Sequence, residues 1–220
     1  MHTHFREYGL PEAIRTDNGA PFASKAVGGL SRLAIWWLKL GIVPERIEPG
    51  RPQQNGRHER MHLTLKQETA NPPRGTMRSQ QRRFDEFRAE YNEQRPHEAL
   101  DQRTPAELYR VSPRAYPARL PEPEYVDGME VRFVRHSGEI KWQGRRMYLG
   151  EVLAGENVAL EPISDGHWLV YFCKMPLGVL DDRRRRVWSV EAAKRKGWLS
   201  ADALPSPFRC TPGTGQSVEV

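Results

Sequence analysis

Four prolines between Pro113 and Pro123 cut the chain into two stretches of different period. Proline fixes φ and removes an amide donor, so neither a helix nor a central strand continues through such a segment. Before it, apolar residues recur every three or four positions. After it, short apolar runs are punctuated by Gly138, Gly144, Gly155 and Gly166. Because period separates helix from strand, the chain reads as an α/β region over 1–110, a Pro-rich linker over 111–124, a small all-β region over 125–180, and a basic, disordered tail over 181–220.

Within the first region, 4–10 reads as the end of a helix closed by Gly9 and Pro11. Residues 13–16 predict a strand that runs straight into Asp17-Asn18-Gly19, a strong turn signal that leaves Asp17 at the strand's exit. Val27, Leu30, Leu33, Ala34, Trp37 and Leu38 predict an amphipathic helix over 24–40, with Ser24 as N-cap and Gly41 as terminator. A short strand over 42–48 follows, then a Pro-Gly loop, then a helix that begins near Asn55 or Gly56 and runs to 69. Phe84, Phe87 and Tyr91 predict another helix over 82–93, and Thr104-Pro105 opens a further one. Beyond the linker, runs at 129–135, 139–142, 146–149, 157–163 and 168–174 predict five strands, economically arranged as an SH3-like barrel.

Charge adds a direction. Lys and Arg number 34 against 28 Asp and Glu, a formal net charge of +6, and Arg supplies most of the cations. The guanidinium fork matches phosphate oxygens bidentately, which favours a polyanionic partner. The cysteines, Cys173 and Cys210, are too few for a disulfide framework and suit a reducing cytoplasm. Cys173 reads as a packing residue. The longest apolar run, 33–38, is far short of the ~20 residues that cross a bilayer. No signal-peptide pattern opens the chain, so a cytoplasmic protein is expected.

Two carboxylates stand out against this background. Metal-assisted phosphoryl transfer needs hard oxygen ligands brought together from separate elements. Asp17 at a strand end and Glu59 in a helix have that character. Around them run Ile14-Arg15-Thr16-Asp17-Asn18-Gly19-Ala20-Pro21-Phe22, then Gly50-Arg51-Pro52-Gln53-Gln54-Asn55-Gly56-Arg57-His58-Glu59-Arg60, then Tyr91-Asn92-Glu93-Gln94-Arg95-Pro96-His97-Glu98-Ala99-Leu100, then Thr104-Pro105-Ala106-Glu107. Four motifs in this order, over about residues 4–110, resemble the catalytic core of insertion-sequence transposases in the retroviral integrase superfamily.

That resemblance implies an RNase H-like core with Asp17 and Glu59 as the second and third acids of a DDE triad. It also implies Mg²⁺ or Mn²⁺ as cofactor, DNA as the partner at element ends and target, and a homo-oligomer. The barrel after the linker is similar to the DNA-binding carboxy-terminal module of integrases. In one respect the sequence departs from the family, whose first acid stands on the opening strand of the core, well before the second. Only sixteen residues precede Asp17 and none is Asp; Glu7 and Glu12 fall in the wrong places to substitute. The expectation is therefore a partial core lacking its opening strands, as in an N-terminally truncated transposase. Such a chain is inactive alone and open to rescue by an upstream polypeptide, since the first acid ligates both metals.

Gln53, Gln54, Asn55 and Arg57, at the loop-to-helix junction, are expected to contact DNA near the positive end of the helix. Lys66 stands seven residues beyond Glu59, on the same side of that helix, and is expected to meet a phosphate. Arg183, Arg184, Arg185 and Arg186 form a run suited to binding without sequence choice. Two rival readings remain. A non-catalytic nucleic-acid-binding remnant shares every residue of this description. His58-Glu59-Arg60-Met61-His62 also spells the HExxH zincin signature, although Arg60 inside the motif and Arg57 beside it oppose Zn²⁺ binding electrostatically.

Overall fold

The computed structural model describes residues 2–24, 26–200 and 217–219, with backbone alone for Pro52, Arg57 and 217–219. In chain order its elements are α1 (His2–Tyr8), β1 (Ala13–Thr16), α2 (Arg32–Lys39), β2 (Val43–Arg46), α3 (Gly56–Thr69), α4 (Met77–Ala89) and α5 (Pro105–Leu108). These are followed by β3 (Glu130–Phe133), β4 (Glu139–Trp142), β5 (Arg145–Tyr148), β6 (Asn157–Ser164), β7 (His167–Phe172), β8 (Met175–Asp181), β9 (Arg186–Trp188), α6 (Val190–Arg195) and β10 (Ser217–Glu219). They divide between two units, one built from 1–9 and 52–115, the other from 10–51 and 116–220.

The first unit is helical, and polar side chains tie its helices together. Thr76 caps α4, its hydroxyl accepting from the Ser79 amide while the Ser79 hydroxyl accepts from the Thr76 amide. The last carbonyls of a helix have no partner within it. Here α4 supplies partners for α3: Arg83 donates to the Glu68 carbonyl and the Gln80 amide donates to the Thr69 carbonyl at 3.0 Å. Arg95 closes the group by pairing with Glu68 at 2.8 Å and Glu90 at 3.1 Å. The Thr76 cap starts α4 at Met77 rather than at 82, and α4 passes into a π-turn over Glu90–Gln94 before Pro96.

The second unit contains two sheets and a two-stranded ribbon. β1 pairs parallel with β2 on one side and with β10 on the other. Ala13, Ile14 and Thr16 are buried, the pattern of a parallel strand covered on both faces. The helix expected from 24 begins only at Arg32. Gly28 and Gly29 take φ of 62° and 67° and form a 3₁₀ turn, after which the Ser31 hydroxyl caps α2 by accepting from the Ala34 amide. Left-handed backbone cannot be part of an α-helix, so the glycine pair sets the start.

β3, β6, β7, β8 and β9 form a five-stranded antiparallel sheet in the order β3-β6-β7-β8-β9, and β4 pairs with β5 apart from it. Val158, Leu160, Val170, Phe172, Leu177 and Leu180 of the sheet share one core with Ile140 and Trp142 of the ribbon and with Leu30, Ala34 and Ile35 from α2 and the residues before it. Lys39 of α2 adds an ion pair to Glu156 at 2.9 Å. The chain between linker and sheet is fixed by Tyr125, whose hydroxyl donates to the Asn157 carbonyl at 2.6 Å and accepts from the Cys173 amide at 3.3 Å. Cys173 is half-buried, and burial pushes its thiol up to about 12.

β8, β9 and α6 depart from the sequence reading. The segment taken as a basic tail from 181 carries β9 and α6, with Ala193 and Leu199 packed on Leu169 and Val179. Apolar anchors spaced within a basic stretch are what hold it to the sheet. The disorder expected from Ser200 onward, and Cys210, fall largely at 201–216 and 220, outside the described residues.

Candidate nucleic-acid interface and acid residues

Asp17 leaves β1 directly and is exposed. Its carboxylate Oδ1 accepts from the Gly19 amide at 2.9 Å, closing the turn that the Asp-Asn-Gly sequence predicts. Asn18 donates to the Ile47 carbonyl at 2.9 Å, which ties the turn to the chain leaving β2. Asp17 is thus held, exposed, at the end of a buried parallel strand. Glu59 is exposed in the first turn of α3, where the helix dipole favours a carboxylate. The two acids belong to different units.

Gln53 and Asn55 lie in the 3₁₀ turn Pro52–Asn55 that leads into α3, and Gln54 is half-buried between them. The Asn55 side chain does not cap the helix, and its Oδ1 is buried with no partner among the described residues. Arg57 sits in the first turn of α3; its side chain lies outside the described residues. Lys66 is exposed in the last turn, two turns past Glu59. His58 and His62 bring their rings to 4.2 Å edge to face. Among the described residues no group of three or more His, Cys, Asp or Glu converges as a metal set would.

The arginine run does not behave as a unit. Arg183 pairs with Asp165. Arg184 donates through its amide at 3.0 Å and its guanidinium at 3.1 Å to Asp181, which is fully buried. Arg185 is exposed at a left-handed φ of 54°. Arg186 lies over the Trp188 ring, 4.3 Å from its centroid. Sequence reasoning missed the tryptophans. Trp188 and Trp198 stand 6.0 Å apart near perpendicular, and Lys196 reaches over both. A readable signal existed: Arg186-Val187-Trp188 on a strand puts the first and third residues on one face.

Comparison with known proteins adds two domain matches to this geometry. Residues 40–105 match the integrase core domain, and residues 129–187 match the C-terminal domain of IS481 family transposases. An integrase core followed by a transposase C-terminal domain is consistent with an insertion-sequence transposase of the DDE family. An uncharacterized 31.7 kDa protein of insertion element IS407 from Burkholderia multivorans is 35% identical over 101 residues, covering 46% of this chain and 34% of that protein. A 39.2 kDa uncharacterized protein of element IS476 from Xanthomonas euvesicatoria is 35% identical over the same length, 28% of its own chain. The chain thus aligns with about a third of the curated relatives it matches. Among the described residues no helix is long and apolar enough to cross a membrane.

Proposed function

We propose that this chain is the DNA-binding part of a DDE transposase whose complete reaction is metal-dependent strand cleavage and transfer. The succession of an integrase core and a transposase C-terminal domain in one chain carries this reading. Residues 1–110 serve as part of an RNase H-like core, for which the parallel β1–β2 pair and its connecting helix α2 speak. Beyond the linker, the antiparallel sheet serves as an SH3-like DNA-binding module with the basic segment after it. Gln53, Gln54, Asn55, Arg57 and Lys66 contact DNA beside Glu59.

Asp17 and Glu59 are the second and third acids. Both are exposed carboxylates, the hard oxygen donors that suit Mg²⁺ or Mn²⁺, and a bound ion pair would activate the attacking oxygen and steady the leaving one. Asp17 and Glu59 alone would leave a pair of metal ions short of ligands, and on this reading the 220-residue chain binds DNA without joining it. An upstream polypeptide supplying the first acid, assembled as a homo-oligomer on paired ends, completes the site.

The test compares the 220-residue chain with one extended upstream, on labelled element ends in Mg²⁺ or Mn²⁺. The expected result is DNA retention by both and strand transfer by the extended protein alone, abolished by Asp17→Asn. Transfer by the shorter chain, lost with Asp17→Asn, overturns its inactivity. Absence of DNA retention at low salt overturns the DNA-binding assignment.

A further inference from the structure

We propose that the phosphate-binding point of the second unit is the pair of cations held over Trp188, Arg186 and Lys196, and that the first half of the arginine run is structural. The inference rests on the DNA-binding reading above and names which charges serve it.

Two positive groups share one indole. The Arg186 guanidinium carbon lies 4.3 Å from the Trp188 centroid and the Lys196 ammonium 4.4 Å from the same point. The charges are therefore closer than the ~10 Å screening length at 0.1 M salt, and they repel. The ring quadrupole attracts each by only about 0.5–1 kcal/mol at an exposed site. Neither cation has a carboxylate partner among the described residues, and both are exposed. A DNA backbone that brings a phosphate to each cation relieves the repulsion and gains both attractions.

The neighbouring arginines differ in kind. Arg183 is engaged by Asp165, and Arg184 satisfies a carboxylate with no access to water. A cation already neutralised by the protein releases few counterions when DNA arrives, so it adds little to binding. Side chains parked on a ring have also surrendered much of the rotamer freedom that binding would otherwise remove. Arg195 is exposed in the last turn of α6, next to Lys196 in sequence.

Nearby groups limit the site. Glu191 lies at the other end of α6, in its first turn, and Asp182 is half-buried beside Gly166. His167 stacks on Trp198 at 4.1 Å and holds it in place. The partner chemistry is a phosphodiester backbone, contacts to which carry no sequence information.

The test uses the whole chain and duplex DNA of arbitrary sequence, with affinity measured by fluorescence anisotropy between 50 and 200 mM salt. The slope of log K against log salt reports phosphates neutralised, about 0.9 per contact. Arg186→Gln and Lys196→Gln should each reduce the slope by roughly one contact, and the double variant by about two. Arg183→Gln and Arg184→Gln should leave it unchanged. Trp188→Phe should retain the slope, whereas Trp188→Leu should lower it at unchanged far-ultraviolet dichroism. Wild-type binding with an unaltered slope in the double variant overturns this inference and leaves the proposed function standing. No binding by the wild-type chain removes both.

Discussion

Asp181 is fully buried, yet its carboxyl sits below the usual carboxylate range. Burial alone pushes it up; the Arg184 amide and guanidinium, with His167 nearby, outweigh that and hold it ionised. A depressed folded value means stability present above the unfolded value, about 3.9, and lost as pH falls through the folded one. Asp181→Asn should therefore lower stability by about 1–3 kcal/mol at pH 7, in urea unfolding followed by tryptophan fluorescence. At pH 3 the gap between wild type and variant should narrow. At this scale the sequence is legible only where partners are close in the chain. The Asp17 turn is closed by a residue two positions on, and the Asp-Asn-Gly signal announces it. Arg183 cannot be told from its neighbours in sequence, because its partner Asp165 lies eighteen residues away and meets it only through strand register, whereas the indole two residues from Arg186 is close enough to read.

Strand β8 shows why an element can be hidden. Every residue of it is buried, so it lacks alternation, and it contains Pro176 and Gly178, both of which argue against a strand. The structure resolves each. Pro176 pairs with Tyr171 beside the register shift that follows Val170, and bulges are among the few places where a sheet tolerates proline. Gly178 lets β9 approach, since a Cβ there would lie 2.3 Å from the Trp188 carbonyl. Gly178→Ala should displace β9 and destabilise the protein by roughly 1–3 kcal/mol. It should also weaken DNA binding by moving Trp188, a coupling that thermal melting and anisotropy on one sample would reveal. The start of α2 is hidden for a simpler reason: helical spacing continues upstream through Val27 while two adjacent glycines of positive φ end the geometry. Ser31→Ala should cost about 1 kcal/mol in the same melting experiment, and Ser24→Ala should not act through a helix cap.

The chain's halves, so distinct in period, do not each fold around their own residues. Periodicity reports which face of an element is apolar and nothing about which other element covers it. Leu30, Ala34 and Ile35, at or just before the start of α2, are buried in the core whose remaining members come from beyond the linker. An apolar face so covered leaves matching surface bare on the sheet when it is removed. Residues 116–200 expressed alone should therefore bind a hydrophobic dye and unfold without a sharp transition. Supplying 10–51 in trans should restore a cooperative one. In the full chain, Leu30→Ala should destabilise the sheet by about 2–5 kcal/mol, as expected for a large side chain lost from a closed core. Trp168, half-buried in β7 against Trp142 at 4.7 Å, reports that loss directly through its fluorescence, although it stands 138 positions from the substitution. A sheet that melts as before in Leu30→Ala would mean that the turn leading into α2 covers it without contributing to its stability.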